Sequence, residues 1–112
     1  MNDEEIIEEV VAAIRDGYRP ERIIMFGSRA GGRPGSDSNL DLLVIRESDK
    51  REVERIREVS RLVRRYQQPP YLLPLDILVK TPEEVKARLA MGDDSIREVM
   101  ERGRAVYDRS AG

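Results

Sequence analysis

Apolar residues recur at helical spacing near the start of the chain, where Ile6, Ile7, Val10, Val11 and Ile14 punctuate an acidic stretch. That pattern predicts an amphipathic helix, capped by Asn2 with Glu5 three residues on and ending at Gly17. A short apolar run from Arg22 to Phe26 predicts a buried strand that stops at Gly27-Ser28. Residues 29–38, rich in Gly, Ser, Pro and Arg, predict a loop, or a short helix and then a loop. Leu40 to Ile45 is the strongest strand signal. Its apolar residues fall on both faces after Asp41, as in a central strand covered on both sides.

Val53, Ile56, Val59, Leu62, Val63 and Tyr66 predict a second long helix, ended by Gln67-Gln68-Pro69-Pro70. Leu72 to Lys80 reads as a third strand containing Asp76. Thr81-Pro82-Glu83-Glu84 is a helix start, with Thr as cap, Pro at the first position and Glu three residues after the cap. That helix ends near Gly92. A last helix is expected from Asp94 or Ser95, with Ile96, Val99, Met100 and, further along, Val106 and Tyr107 on its inner face. Gly103 would weaken it by up to about 1 kcal/mol. The order predicts one α/β (α+β) domain over residues 1–112, a small mixed sheet flanked by helices.

Composition changes the picture mainly by exclusion. Among 112 residues there is no Cys and no His. Disulfides, thiol nucleophiles, imidazole bases and Ser-His-Asp triads are therefore excluded, leaving carboxylates, Lys, Arg, Tyr and hydroxyls. Carboxylates without nitrogen or sulfur ligands favour hard cations such as Mg²⁺ or Mn²⁺. Lys and Arg (20) nearly balance Asp and Glu (22), so the net charge of −2 offers no global attraction to nucleic acid or membrane. Arg15, Arg19, Arg22, Arg29 and Arg33 read as solvated surface, with Arg29 and Arg33 the exceptions nearest a candidate phosphate site. The run from Arg51 to Arg65 alternates in sign and reads as an exposed helix face. No apolar run approaches the roughly 20 residues that cross a bilayer, and the first residues are acidic where a signal peptide is basic. A cytoplasmic location is expected.

Three features carry candidate chemistry. Gly27-Ser28 ends a strand, where a glycine lets the backbone approach a phosphate and a following helix start offers free N–H groups. Taken alone, a Gly-Ser there is more often a turn with a helix cap. Asp41 lies two residues after Asn39, so strand alternation puts both on one face. Asp41 by itself reads equally well as a turn cap at a strand end. Asp76 sits between Leu75 and Ile77, where a buried carboxylate needs a metal, a cation or a hydrogen-bond network. An edge-strand position facing solvent, or an Arg partner, would also account for it.

Together these features resemble a known family. Gly27-Ser28-Arg29-Ala30, a loop, then Ser38-Asn39-Leu40-Asp41-Leu42-Leu43-Val44, with Asp76 in Leu75-Asp76-Ile77-Leu78-Val79, is similar to the signature of the minimal nucleotidyltransferases of the polymerase-beta-like superfamily. The resemblance extends over nearly the whole chain, to the closing segment near Val106-Tyr107. It implies a nucleotidyltransferase-like fold, nucleotide-binding roles for Gly27, Ser28 and Arg29, and a two-metal Mg²⁺ site with Asn39, Asp41 and Asp76 at its ligand and catalytic positions. It also implies transfer of AMP from ATP, or another nucleoside triphosphate, to a tyrosine of a HEPN-type RNase toxin encoded nearby, with the chain as antitoxin. A partner chain would supply the acceptor, and both a homo- and a hetero-oligomer are compatible with the sequence.

One position departs from the family pattern, which carries Asp where this chain has Asn39. An amide offers a carbonyl oxygen to a metal but no negative charge. The expected consequence is a weakened or inactive transferase that keeps nucleotide binding. Asp37 is a substitute ligand only if the strand has not yet begun there. The alternative is a catalytically dead module that binds nucleotide or neutralises its partner by contact. A nucleic-acid-binding role is disfavoured by the acidic balance and by 4% aromatic residues.

Overall fold

The computed structural model describes residues 2–30 and 39–111. Asn2 caps helix α1 (Asp3–Tyr18), its side-chain oxygen accepting the Glu5 N–H at 2.9 Å. The helix does not stop at Gly17. It ends on Arg19, which takes the left-handed conformation at φ 55°. Gly17 serves packing instead, because a Cβ there would fall 2.5 Å from Leu62 Cδ2 on helix α2 (Glu52–Val63).

Strands β1 (Arg22–Phe26), β2 (Leu40–Ile45), β3 (Leu75–Lys80) and β4 (Arg104–Asp108) form a mixed sheet in the order β3-β2-β1-β4. β2 runs antiparallel to β1 and parallel to β3, while β4 is antiparallel to β1. Strand alternation sorts the core into two layers. Ile23, Met25, Leu40, Leu42 and Val44 pack on α1 and α2 through Val10, Ile14, Val59 and Val63. Ile24, Leu43 and Ile45 pack on helices α3 (Pro82–Ala90) and α4 (Asp94–Arg102) through Val85, Ile96 and Val99. The central strand is thus buried on both sides, as its sequence predicts.

β3 is shorter than expected. It begins at Leu75, because Leu72 has φ 49° and is 62% exposed in the preceding turn, while Leu73 donates its N–H to the Tyr66 carbonyl.

The closing segment differs more. α4 ends at Arg102 and Gly103 is its extended cap. A Cβ at Gly103 would lie 2.4 Å from the Val99 carbonyl oxygen and 2.5 Å from Ile24 Cγ2, so the chain crosses to the sheet at its closest approach. Residues 104–108 then pair with β1, setting Arg22 opposite Asp108 and Ile23 opposite Tyr107. Val106 and Tyr107 do face the core, but as strand residues rather than helical ones.

The Thr81 capping box forms as its sequence predicts, Thr81 and Glu84 each accepting the other's backbone N–H. Glu84 has a second task. It also accepts from the guanidinium of Arg55 at 2.6 Å, and Arg55 further donates to the carbonyls of Lys50 and Val79. Arg55 is 3% exposed and ties α2 to β3 and α3, so the expected exposed face of α2 has a buried charge in it. Among the described residues, no helix is long and apolar enough to cross a membrane.

Candidate active site

Asp41 and Asp76 are register partners on the parallel pair β2–β3, so their side chains project from the same face of the sheet. That face is the one covered by α3 and α4. The helices bury Leu43 and Ile45 but leave the Asp41 end open, where Asp41 is half-buried and Asp76 is exposed. Asn39, just before β2, reaches the same place and donates its side-chain amide to Asp76 Oδ2 at 2.9 Å. The three residues singled out for metal and catalysis therefore meet at one corner.

Asp76 matches two descriptions at once, an edge-strand residue facing solvent and a member of a polar cluster. β3 lies at the sheet edge, and the Asp76 partner is an amide rather than an arginine.

The corner is electrostatically strained. The Asp41 carboxyl is held above its ordinary value by burial first, then by the charge of Asp76 and a hydrogen bond with it. Two adjacent carboxylates compete for one proton or one cation. Among the described residues, no group of three or more Asp, Glu, His or Cys gathers for a metal ion. The corner offers two carboxylates and a neutral amide.

Phe26, the register partner of Asp41 on β1, leads directly into Gly27. Gly27 has φ 76°, and a Cβ on it would sit 2.3 Å from Asp41 Oδ2. A glycine is required here on both counts, backbone conformation and space. The approach expected between backbone and phosphate is first an approach between backbone and the Asp41 carboxylate, which sequence reasoning missed. Ser28 is exposed at the following turn, which closes through the Ala30 N–H on the Gly27 carbonyl at 3.2 Å. A turn spans Ser28–Ala30, and the helix start considered after it, with Arg33, Asp37 and Ser38, lies outside the described residues.

Arg29 turns the other way. Its side chain is buried on the α1 side, where its guanidinium pairs with Asp3 at 3.4 Å. It thereby fastens the turn to the first helix. It also lines a cavity of about 910 Å³ between α1 and β4.

Comparison with known proteins identifies the family and the fold. The profile of the nucleotidyltransferase domain family matches residues 6–106. A Methanocaldococcus jannaschii protein assigned as a protein adenylyltransferase is 39% identical over 51 residues, 44% of this chain and 51% of that protein. The chain thus spans about half the length of the curated relative it matches. A Sulfolobus solfataricus protein assigned as a nucleotidyltransferase superposes with a TM-score of 0.65 at 22% identity, covering 96% of this chain and 82% of that one. A mutant form of the toxin–antitoxin pair MntA–HpeT superposes with a TM-score of 0.57 at 16% identity, covering 99% and 77%. At such identities the structural matches establish the fold.

Proposed function

Because the chain belongs to the nucleotidyltransferase domain family, we propose that its Asn39–Asp41–Asp76 corner binds ATP with a divalent cation, Mg²⁺ or Mn²⁺. In its competent form it transfers AMP to a tyrosine hydroxyl of a HEPN-type toxin partner, acting as a cytoplasmic antitoxin. The observation that carries this reading is the side-by-side placement of Asp41 and Asp76 at the open end of the sheet, with the Gly27–Ser28 turn against Asp41. The adenylyltransferase assignment of one relative and the toxin–antitoxin setting of one structural neighbour support the acceptor class.

The donor set fits a hard cation. Two carboxylates and an amide supply only oxygen ligands once the Asn39 amide turns its oxygen inward, and a cation offsets both the burial and the Asp76 charge that raise Asp41. A bound divalent cation supplies positive charge against the triphosphate and the leaving pyrophosphate. The chain's own residues do the rest. Gly27 and Ser28 present backbone and hydroxyl donors to the phosphates, while Arg29, paired with Asp3, anchors their turn to α1. Asp76, exposed at the corner, takes the proton of the attacking hydroxyl in this reading. The hydroxyl oxygen then bonds to the α-phosphorus as the bond to the bridging oxygen breaks and pyrophosphate leaves.

With Asn39 the corner carries two negative charges rather than three, and the amide occupies an oxygen of Asp76. That observation favours a second reading for the chain as it stands, a nucleotide- or partner-binding module that neutralises by contact. A transfer assay with α-labelled ATP, Mg²⁺ and the toxin partner separates the two. The enzymatic reading expects Asn39→Asp to label the partner at least tenfold faster than the present chain. Equal absence of label in both forms supports the contact module.

A further inference from the structure

Beside the carboxylate corner lies a cavity of about 470 Å³, set between the sheet and α4. Its volume falls within the range of small-molecule pockets. Phe26, Leu78 and Val99 give it apolar walls, and Gly27 lines it as well. Gly27 is the residue whose Cα abuts the Asp41 carboxylate, so the cavity opens directly from the proposed phosphate turn. Leu78 lies two residues beyond Asp76 on the same strand face and is 38% exposed, an apolar side chain left uncovered at the site.

The rim is polar in a specific way. Glu98 and Arg102 stand one turn apart on α4, hence on one helix face, and both line the cavity. Neither enters an ion pair among the described residues. One accepts hydrogen bonds and the other donates them, about a side chain's width apart.

We propose that this cavity is the nucleobase pocket of the bound nucleoside triphosphate, with Glu98 and Arg102 reading the edge of the ring. The inference rests on the nucleotide-binding reading of the corner and adds where the base goes. A flat heterocycle laid against Phe26, Leu78 and Val99 buries apolar area. The amino group of adenine matches the Glu98 carboxylate, and a ring nitrogen matches the Arg102 guanidinium. A tyrosine hydroxyl, which both donates and accepts, meets the same two groups, so the choice of occupant rests on position. The base is also tethered to phosphates held at Gly27, which lines the cavity.

The test is equilibrium binding of ATP and of inorganic tripolyphosphate, each with Mg²⁺, to the whole chain, to Ser95→Trp and to Glu98→Ala. Ser95 is an exposed residue lining the cavity, so the indole blocks it without entering the core. The expected result is at least a tenfold loss of ATP affinity in Ser95→Trp, a several-fold loss in Glu98→Ala, and unchanged tripolyphosphate binding in both. Retained tripolyphosphate binding also shows that the variants fold. ATP binding unchanged in both variants overturns the pocket assignment while leaving the nucleotide reading intact. If Ser95→Trp leaves ATP binding unchanged but, added to Asn39→Asp, abolishes transfer to the toxin partner, the cavity takes the acceptor instead and the proposal falls. Failure of the unaltered chain to bind either compound defeats the underlying nucleotide reading.

Discussion

Asp41 Oδ2 lies 2.3 Å from where a Cβ on Gly27 would be. The carboxylate at the start of one strand and the bare backbone at the end of its neighbour are fitted to one another, and Gly27 holds that place at φ 76°. Gly27→Ala combines a left-handed conformation with this collision. It is expected to cost about 1–3 kcal/mol of stability and to push the Asp41 carboxylate out of the corner. Urea denaturation measures the first effect, and Mg²⁺-dependent ATP binding the second.

Asn39→Asp restores a third carboxylate beside Asp41 and Asp76 at the loss of the amide–Asp76 hydrogen bond. In EDTA the variant is expected to be less stable by about 1–2 kcal/mol, from added repulsion and the lost bond. Adding Mg²⁺ should reverse the order. Thermal melting of both forms with and without Mg²⁺ checks this, and an equal response to the metal in both forms argues against a cation at this corner.

Arg55 tests the scaffold rather than the site. Its guanidinium meets two carbonyls and the Glu84 carboxylate, and it is almost wholly buried. Arg55→Ala leaves the two carbonyls unpaired and Glu84 with the Thr81 N–H alone, and is expected to cost about 2–3 kcal/mol, toward the lower range for breaking a buried pair because Glu84 is partly exposed. Arg55→Met, which keeps the apolar stem, should cost less. Urea midpoints order the three proteins.

Glu84 gives that scaffold a pH dependence. Burial alone would raise its carboxyl, but the Thr81 N–H, the Arg55 guanidinium and the charge of Lys80 outweigh it and hold the group below its ordinary value of 4.5. A depressed folded pKa contributes stability fully above the unfolded value, and that stability is lost as pH falls through the folded one. The chain should therefore be more stable than Glu84→Gln near pH 7, with the gap closing as the pH drops below about 4.5. Melting temperatures of the pair across pH 3–7 read this directly.

Much of the scaffold was legible because local signals agreed with the tertiary outcome. Asn2 and Thr81 cap as their sequences predict, and Leu40–Ile45 is apolar on both faces because helices cover both. β4 was not legible. Ile96, Val99, Met100, Gly103, Val106 and Tyr107 continue at three- and four-residue steps, so a helix followed at once by an edge strand reads as one longer helix. Only the close approach at Gly103 breaks the pattern, and that is a tertiary fact. Arg55 was hidden among alternating charges, although its four-residue steps to Val59 and Val63 place it on the buried stripe. At the site, Asp41 and Asp76 read singly as unusual carboxylates, and only the family resemblance joined them with Asn39 into one site. Their contact depends on the parallel register of β2 and β3, which no local pattern encodes.

The central claim is that Asp41 and Asp76 form a cation and nucleotide site, and calorimetric titration of ATP into the chain and into Asp41→Asn tests it most directly. Neutralising Asp41 removes the repulsion with Asp76, so the variant should be at least as stable as the parent. The account predicts Mg²⁺-dependent ATP binding by the parent and at least a tenfold loss in this stable variant. ATP binding that is equal in the two proteins, or indifferent to Mg²⁺, would contradict it.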